Sequence, residues 1–478
     1  MMHTRRKEFW VEKSRGHDPF YRNVTLPDEV LLEIFALYGH EYILANIWWL
    51  KLVHVCRQWR QVVFASPRRL NLRLRCTPFT PARKMLDMWP NLPLVISHDG
   101  TADLPPELAD NVIAALERTN RVSEIWIFRV PSSLVKRFAA AMQEPFPALT
   151  HLSFLSDGSS APVLPSSFLG GHAPRLESLD VENIPIPPFR KLPSCSPSLA
   201  TLHLTNNLYI PPGVIVDCLS GLIGLETFHL GIRSRPDQTS LRPPMLARVV
   251  LPSLTSFLFN GVSEYFEDLI ARIDTPTLDN LSVSFFNQLI FDIPRLSQFI
   301  SRTEQFELLD RAGVAFNSHS VKITLVIDDE TETTFANLTL SLAISCTPLD
   351  WQVFALEQVC SSTLHSLSNL NTLYIWQYPH HEDRSTDGVE NTQWLELLRP
   401  FTTLETLIVE QGSIPFVERI LGALAGGVTE AMPALELIYI DLGPLEPIPD
   451  GIEQFVTARQ LSGRPVAVER TGEPVVDL

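Results

Sequence analysis

The clearest pattern of hydrophobic and polar positions recurs along the chain from residue 122 onward. Each copy reads L-x-x-L-x-L, with aliphatic or phenylalanine substitutions and usually a proline two residues earlier. The first anchors lie at 122, 149, 176, 199, 225, 254 and 278, and further copies start at 370, 404 and 435. Within each copy the alternation predicts a strand whose leucine-type residues point into a core. A period of roughly 25 residues is typical of arrays in which each unit buries its apolar face against the next.

Helical periodicity fills several of the segments between these strands. It is clearest in ADNVIAALER, SSLVKRFAAAMQ, LDWQVFALEQVC, TQWLELLRPF and PFVERILGALA. A strand followed by a returning helix in each unit predicts one parallel sheet with helices on its back. The region 284–365 is expected to be irregular, because VKITLVI and LTLSLAI are predicted strands that lie too close together for a helix between them. A hairpin or an insertion through DDETETT accounts for that spacing.

The repeat motif and its period resemble leucine-rich repeats. The asparagine that usually follows the strand is mostly missing, with Asn207 the one good match, so irregular repeats are expected. The resemblance implies a solenoid whose parallel sheet forms the concave face. Residues between the leucines then face outward, and one column of them reads Ser153, Asp180, His203, His229, Leu258, Ser282, Tyr374, Ile408 and Tyr439.

Part of this column supplies the candidate target-binding residues. They are Asp180, His203, His229, Tyr374 and Tyr439. In the expected register the first three lie on successive strands about 4.8 Å apart. A carboxylate beside two imidazoles can bind a metal or respond to pH, whereas an exposed polar recognition surface is the simpler interpretation. We therefore predict no metal site and no cofactor.

Two amphipathic helices are predicted near the N-terminus. In TLPDEVLLEIFALY, Pro27 fits the first helical position, Thr25 is placed to cap it, and acidic residues follow in the first turn. Apolar residues at Leu31, Ile34, Phe35 and Tyr38 then form a stripe with helical spacing. The stretch LVHVCRQWRQVVFASPRRL repeats this spacing at Leu52, Val55, Cys56, Trp59, Val62 and Val63.

Cys56 and the arginines around it raise two further hypotheses. Burial in an apolar stripe raises the pKa of a thiol, which argues against a reactive nucleophile. The arginines suggest a nucleic-acid patch, but no aromatic side chains interleave them to stack on bases. Leu70, Leu72 and Leu74 alternate with polar residues, which indicates a strand with one solvated face. A solvated basic surface is the expected role of the arginines, and no nucleic-acid partner is predicted.

The two halves of this head, LPDEVLLEIF from Leu26 to Phe35 and VCRQWRQV from Val55 to Val62, together resemble an F-box. That module is a small three-helix domain that docks on the Skp adaptor of Skp–cullin–F-box ubiquitin ligases. The intervening ALYGHEYILANIWWLKLVH is longer than in the shorter family members. With the following FASPRRLNLRL, the head resembles F-box proteins of mushroom-forming fungi.

The resemblance implies adaptor-binding roles for seven residues, carried over by position. Leu26 and Pro27 should enter the adaptor groove. The others should line that contact or build the core behind it, and they are Ile34, Phe35, Val55, Cys56 and Trp59. A helical domain this small cannot bury so many large side chains alone, so a partner surface is expected. The alternative is that these residues only pack the head against the body.

Composition and charge narrow the class of protein. The 478 residues are 45% apolar, which predicts a large folded core. Residues 1–84 carry 15 Lys and Arg against 7 Asp and Glu, whereas the remainder carries 23 against 47. With no apolar run of roughly 18 residues and no signal sequence, we predict no membrane partner and a cytoplasmic or nuclear location. The six cysteines are scattered, so neither a zinc site nor a disulfide framework is expected.

Together these features predict an α/β protein, and the F-box resemblance implies that it serves as the substrate receptor of a Skp–cullin–F-box ubiquitin ligase. A basic tail (1–22) precedes the F-box (23–68), the irregular leucine-rich-repeat solenoid (69–445) and a C-terminal tail (446–478). The F-box would bind the Skp adaptor and through it cullin, and the acidic repeats would bind a protein target, suggesting a basic patch on that target. The alternative is a leucine-rich-repeat scaffold not engaged in ubiquitination. An enzyme is not expected, because P-loop, G-x-S-x-G and H-E-x-x-H motifs are absent.

Overall fold

The computed structural model describes residues 26–41, 48–88, 90–100, 105–158, 162–185, 196–207, 210–232, 248–286, 290–291, 293–327, 338–363, 369–377, 389–426, 431–443 and 446–470. The predicted basic tail, the cap at Thr25 and the DDETETT segment lie outside these residues. The chain divides into two units. The first runs to Arg75 and takes in residues 88–95, and the second contains residues 76–87 and everything from Ile96 onward.

Three helices make up most of the first unit: α1 (Asp28–Glu41), α2 (Trp48–Val53) and α3 (Arg57–Ala65). Their facing sides form its core, in which the side chains of Phe35 and Val63 are 0% exposed. Trp49 is also buried, and its indole N–H donates to the carbonyl oxygen of Arg73 at 3.0 Å. This bond joins α2 to the chain that leaves the helices. Two strands, β1 (Leu74–Cys76) and β2 (Leu94–Asp99), span the division between the units.

Strands and helices alternate through the second unit. The strands are β3 (Val122–Val130), β4 (His151–Ser156), β5 (Ser178–Glu182), β6 (Thr201–Asn207), β7 (Thr227–Ile232), β8 (Val249–Val250), β9 (Ser256–Gly261), β10 (Ile273–Asp274), β11 (Asn280–Phe286), β12 (Arg311–Phe316), β13 (Ser320–Val326), β14 (Thr339–Ser345), β15 (Thr372–Gln377), β16 (Thr406–Val409), β17 (Leu437–Ile440) and β18 (Ala467–Arg470). The α-helices are α4 (Ala82–Met85), α5 (Pro106–Leu116), α6 (Ser132–Ala141), α7 (Pro212–Leu219), α8 (Ser263–Ile270), α9 (Pro294–Arg302), α10 (Leu349–Thr363), α11 (Asn391–Leu398), α12 (Ile414–Leu424) and α13 (Asp450–Leu461). The five helices expected from periodicity all form.

Fourteen of the described strands lie side by side in one sheet, in the order β3-β4-β5-β6-β7-β9-β11-β14-β13-β12-β15-β16-β17-β18. Neighbouring strands run parallel except around β13, which is antiparallel to β12 and β14. Strands β8 and β10 form a separate parallel pair. The predicted α/β class with a mainly parallel sheet is confirmed.

The core of the second unit lies between this sheet and the helices that return behind it. In each strand the leucine-type positions are buried, as at Leu202 and Leu204, which are 2% and 0% exposed. Phenylalanines extend the contact from repeat to repeat: the rings of Phe228 and Phe257 stack with centroids 5.4 Å apart. Phe266 of α8 packs on the same ring at 5.8 Å. Each repeat therefore completes the apolar layer of the one before it.

The irregular region is a detour in the strand order. After β11 the chain leaves two strand positions open in the sheet and forms β12 beyond them. It then returns as the antiparallel strand β13, and β14 fills the remaining position beside β11. Helix α10 follows, and β15 pairs in parallel with β12. The two strands expected from VKITLVI and LTLSLAI are confirmed, and they pair as a hairpin does. Strand β12, with the sequence RAGVAF, was not expected from the pattern.

The segment from residue 446 differs from the predicted C-terminal tail. Helix α13 and strand β18 add another helix–strand unit to the array, with β18 parallel to β17. Arg459 of α13 is 1% exposed and donates from Nη2 to the carbonyl oxygen of Leu435 at 2.9 Å. The strand reads AVER and lacks the paired leucines of the other copies, so its pattern does not reveal it.

Glu267 joins two neighbouring repeats from a buried position on α8. Its side chain is 8% exposed, and its carboxylate accepts the backbone N–H groups of Arg295 at 2.9 Å and Leu296 at 2.7 Å. Both N–H groups belong to the first turn of α9, where no intrahelical acceptor exists. A carboxylate at a helix N-terminus also interacts favourably with the helix dipole. Glu267 therefore caps the helix of the following repeat.

Replacing Glu267 with alanine should lower the free energy of unfolding by about 1–2 kcal/mol, because two buried donors lose their acceptor. Urea unfolding followed by circular dichroism measures this as a lower midpoint. Glu226→Ala, which removes an exposed glutamate immediately before β7, is the matched control and should leave the midpoint unchanged. Equal shifts in the two variants would contradict the capping role.

Candidate functional site

Leu26 and Pro27 lead into α1 and are held against α3. The carbonyl oxygen of Pro27 accepts the N–H of Leu31 at 3.0 Å, so the helix begins one residue later than expected, at Asp28. The amide of Gln58 on α3 donates to the carbonyl oxygen of Leu26 at 3.1 Å and to Oδ1 of Asp28 at 3.0 Å. One side chain thus joins the two halves of the head motif.

Helix α1 is apolar on two sides. One side is buried, with Leu31 2% and Phe35 0% exposed. The other side is open and carries Val30, Ile34 and Leu37, which are 42%, 43% and 74% exposed, and Leu26, just before the helix, is 40% exposed. Spacings of four and three residues place Val30, Ile34 and Leu37 on one helix face. These three side chains and that of Leu26 are here called the α1 stripe. Ile34, expected beside Leu31, belongs instead to this stripe. A contiguous exposed apolar surface is typical of a protein-binding site.

The stretch LVHVCRQWRQVVFASPRRL, predicted as one amphipathic helix, contains the end of one helix and the whole of another. Helix α2 ends at Val53, and α3 begins at Arg57 with Cys56 as its N-cap, whose Sγ accepts the backbone N–H of Trp59 at 3.5 Å. Cys56 is exposed and Val55 is 58% exposed, so neither lies in a buried stripe as their spacing predicted. Spacing alone does not reveal the break, because a thiol can cap a helix in the way that a serine does.

Trp59 connects α3 to α1. Its ring meets that of Phe35 edge-on, with centroids 4.8 Å apart. Phe35 lies in the core, whereas Trp59 is half-buried and presents part of its ring to solvent. The remaining predicted adaptor-binding residues are all exposed: Leu26, Pro27, Ile34, Val55 and Cys56.

The sheet of the second unit brings the predicted column of outward residues into one row. Asp180 pairs with His203, and His203 with His229, on three successive strands. Tyr374 and Tyr439 flank Ile408 in the same way. The complete row, on what we call the open face, is Trp126, Ser153, Asp180, His203, His229, Leu258, Ser282, Ser341, Thr324, Gly313, Tyr374, Ile408, Tyr439 and Glu469.

A polar line crosses the open face from β4 to β9. Ser153 Oγ donates to Oδ2 of Asp180 at 2.9 Å, and the rings of His203 and His229 meet edge-on with centroids 5.5 Å apart. Burial lowers the pKa of His229, the charge of His203 lowers it further, and Asp180 opposes both. His229 is therefore neutral near pH 7, and the amide of Asn260 lies 2.9 Å from its Nε2 and can donate to it.

Tyr374 and Trp376 form an aromatic cluster on the open face that the predicted column captures only in part. Their rings stack at 14° with centroids 5.5 Å apart. Trp376 also covers Gly313 on the neighbouring strand so closely that no room is left there for a Cβ atom. Arg311 Nη1 donates to the hydroxyl of Tyr374 at 3.5 Å. Trp376 was missed because it lies two positions beyond the column, although the same alternation places it on this face.

Tyr439, the second tyrosine of the predicted column, interacts with Glu469 on β18. A hydrogen bond to that carboxylate raises the pKa of the Tyr439 phenol, so this side chain is a neutral donor near pH 7. In the part of the chain that the structure describes, no group of three or more His, Cys, Asp or Glu side chains is arranged to hold a metal ion. Among the described helices, none combines the length and apolar character that crossing a membrane requires.

Comparison with known proteins identifies the head. Residues 24–70 match the family model described as F-box-like. The matched range contains both halves of the head motif and all three helices of the first unit. The first unit therefore contains an F-box-like domain. No curated protein matches the chain.

Two solved structures resemble much of the chain. A chain in the crystal structure of the Rad7 and Elc1 complex in yeast is 13% identical, with 87% of this chain and 88% of that chain covered and a TM-score of 0.30. The leucine-rich repeat-containing protein LegL7 from Legionella pneumophila is 12% identical, with 83% and 99% covered and a TM-score of 0.25. The repeat architecture itself rests on the strand order and register described above.

Substitutions at Cys56 should distinguish a cap from a core residue. Cys56→Ser should keep the free energy of unfolding within about 0.5 kcal/mol, whereas Cys56→Val should lower it by about 1 kcal/mol, because valine cannot accept the Trp59 N–H. Thermal unfolding of the full chain measures both. Cys218, which is 2% exposed in α7, is the control, and there serine should be the more harmful replacement. The same order at both cysteines would contradict the capping role of Cys56.

Proposed function

We propose that this protein is the substrate-recognition subunit of a Skp–cullin–F-box ubiquitin ligase. F-box domains generally bind Skp-type adaptors, and residues 24–70 match that family. The observation that carries the proposal is the α1 stripe, because it leaves large apolar side chains exposed at the helix that opens the matched range. Through the adaptor, the first unit would bring the chain to cullin.

The open face of the second unit is the proposed binding surface for a protein target. It is a row of side chains on a rigid sheet, with polar residues toward β4 and aromatic residues toward β15, and such a surface suits protein recognition. The acidic balance of the second unit favours a target that carries a basic patch.

The proposed role needs no catalytic residue in this chain. By holding the target near a ubiquitin-charged enzyme, the receptor raises the effective concentration of the two reactants. We therefore propose a non-enzymatic receptor that works in the cytoplasm or the nucleus. A repeat scaffold without a ligase is the alternative, and the adaptor experiment below separates the two.

The double substitution Leu26→Ala with Pro27→Ala should reduce capture of the full chain by purified Skp adaptor at least about tenfold, because both side chains leave the docking surface. Affinity measurement by surface plasmon resonance checks this. Ile223→Ala is the control, since that side chain is 69% exposed but lies in the second unit. If the native chain does not bind the adaptor, the scaffold alternative is favoured. If the double variant binds like the native chain, Leu26 and Pro27 are not part of the docking surface.

The double substitution His203→Ala with His229→Ala should weaken capture of the target, because the imidazole pair on the open face is lost. The full chain is used as bait in its native cell with the proteasome blocked, and proteins that accumulate are compared with those captured by the variant. His172→Ala with His319→Ala removes two exposed histidines elsewhere and is the control. Unchanged capture by the first variant would exclude the pair from the target site.

A further inference from the structure

Two rows of the open face cross β15, β16 and β17 beside each other. The first row contains Tyr374 and Tyr439. The second begins at Trp376 and continues at Glu410 and Asp441, which follow the last residues of β16 and β17. The aromatic residue of the second row is therefore followed on the next two strands by carboxylates.

The strand register extends to these two acidic residues. The N–H of Asp441 donates to the carbonyl oxygen of Val409 at 3.0 Å, which continues the parallel ladder past β16. Glu410 has an extended backbone, with φ −72° and ψ 151°, so the alternation of side chains continues through it. Both acidic side chains are exposed. With neighbouring strands about 4.8 Å apart, Glu410 and Asp441 lie one and two strand spacings from Trp376.

The ring of Trp376 is held in place before any ligand binds. One side of the indole packs on Gly313 and the ring stacks on Tyr374, so little rotamer freedom remains to be lost on binding. The residue is nevertheless partly exposed. Among the described residues nothing accepts the indole N–H of Trp376, which leaves that donor available to a ligand backbone. Fixed, partly exposed tryptophan and tyrosine are the side chains that most often anchor a protein partner.

The charges around this ring differ from one side to the other. Lys322 pairs with Ala315, and Ala315 with Trp376, so a positive charge lies two strands away on the β13 side. Arg311 donates to the Tyr374 hydroxyl and adds a positive charge toward the starts of the strands. The carboxylates of Glu410 and Asp441 lie on the opposite side, toward β17. A cationic side chain that approaches the ring is therefore directed to the β16–β17 side.

We propose that Trp376, together with Glu410 and Asp441, binds an arginine or lysine side chain of an extended segment of the target protein. The cation lies on the indole ring and pairs with the two carboxylates, and arginine is favoured because its planar guanidinium stacks on the ring as well. This inference rests on the proposed target-binding role of the open face. It assigns to that face one anchoring residue, Trp376, and one class of target side chain.

The test measures binding of labelled homo-octamer peptides to the full chain by fluorescence anisotropy at about 0.15 M salt, where long-range attraction is largely screened. Octa-arginine should bind more tightly than octa-lysine, and octa-glutamate should not bind. Trp376→Ala should weaken octa-arginine binding roughly tenfold, and Trp376→Phe should weaken it less, because a smaller ring still accepts a cation.

A charge-matched pair of variants separates this site from general acidity. Glu410→Gln with Asp441→Asn should weaken octa-arginine binding about as much as Trp376→Ala. Glu405→Gln with Glu436→Gln removes two exposed carboxylates from the other ends of the same strands, β16 and β17, and should have little effect. Circular dichroism of each variant verifies that the sheet is intact.

Three results would overturn the inference: tighter binding of octa-glutamate than octa-arginine, native-like binding by Trp376→Ala, or equal losses in the two charge-matched variants. Adaptor binding is measured on the same proteins and should be unchanged in all of them. If the native chain binds octa-arginine through Trp376 but does not bind the adaptor, the ligase role fails and the site stands. If it binds the adaptor but not the peptide, the site fails and the ligase role stands.

Discussion

Parallel pairing of one strand per repeat is the constraint on which the rest of the second unit depends. The residue before each strand donates its N–H to the equivalent residue one repeat earlier. Ala200 donates to Glu177 at 2.9 Å, Glu226 to Ala200 at 2.8 Å, and Thr255 to Glu226 at 2.9 Å. Because each bond joins equivalent positions, a slip of one residue would turn every buried leucine toward solvent. The buried pattern thus determines which side chains share a row on the open face.

The same constraint explains why much of this architecture is predictable from sequence. Wherever two leucine-type residues alternate, both the strand and its register follow, and the row that joins Asp180 to His203 and His229 was predicted in this way. Strand β12 escaped prediction because Ala312 occupies the buried position that a leucine fills in the neighbouring strand, and a glycine follows it. Strand β18 escaped because it adds one edge to the sheet with side chains that stay largely exposed.

Sequence spacing predicted where in the chain the candidate sites lie, but not which of their side chains are buried. Spacing identifies residues that share a helix face, but it does not tell the buried face from the exposed one, and so Ile34 was grouped with Leu31. It also does not detect a backbone break that a side chain stabilises, which is what Cys56 does at the start of α3. The role of Trp376 could not be predicted without knowing which residue of the neighbouring strand it contacts. Its indole ring can lie against the sheet only because that residue, on β12, is a glycine.

The two units offer different chemistry to partners. The α1 stripe is aliphatic, and binding through such a surface depends on area and changes little with salt. The open face combines ions, imidazoles and aromatic rings, and its selectivity depends on matching individual charges. In the proposed receptor role, the first unit would keep one constant partner while the residues of the rows vary to suit another.

The detour between β11 and β15 has a consequence for the order in which the sheet can assemble. In the regular repeats, each strand pairs with the strand of the preceding repeat, so strand pairing can spread one repeat at a time. Strand β15 instead pairs with β12. In the chain, β13, β14 and α10 lie between these two strands. Closing that longer loop raises the local contact order and slows this step relative to its neighbours. The detour thus interrupts the repeat-by-repeat order in which neighbouring strands of the sheet can pair.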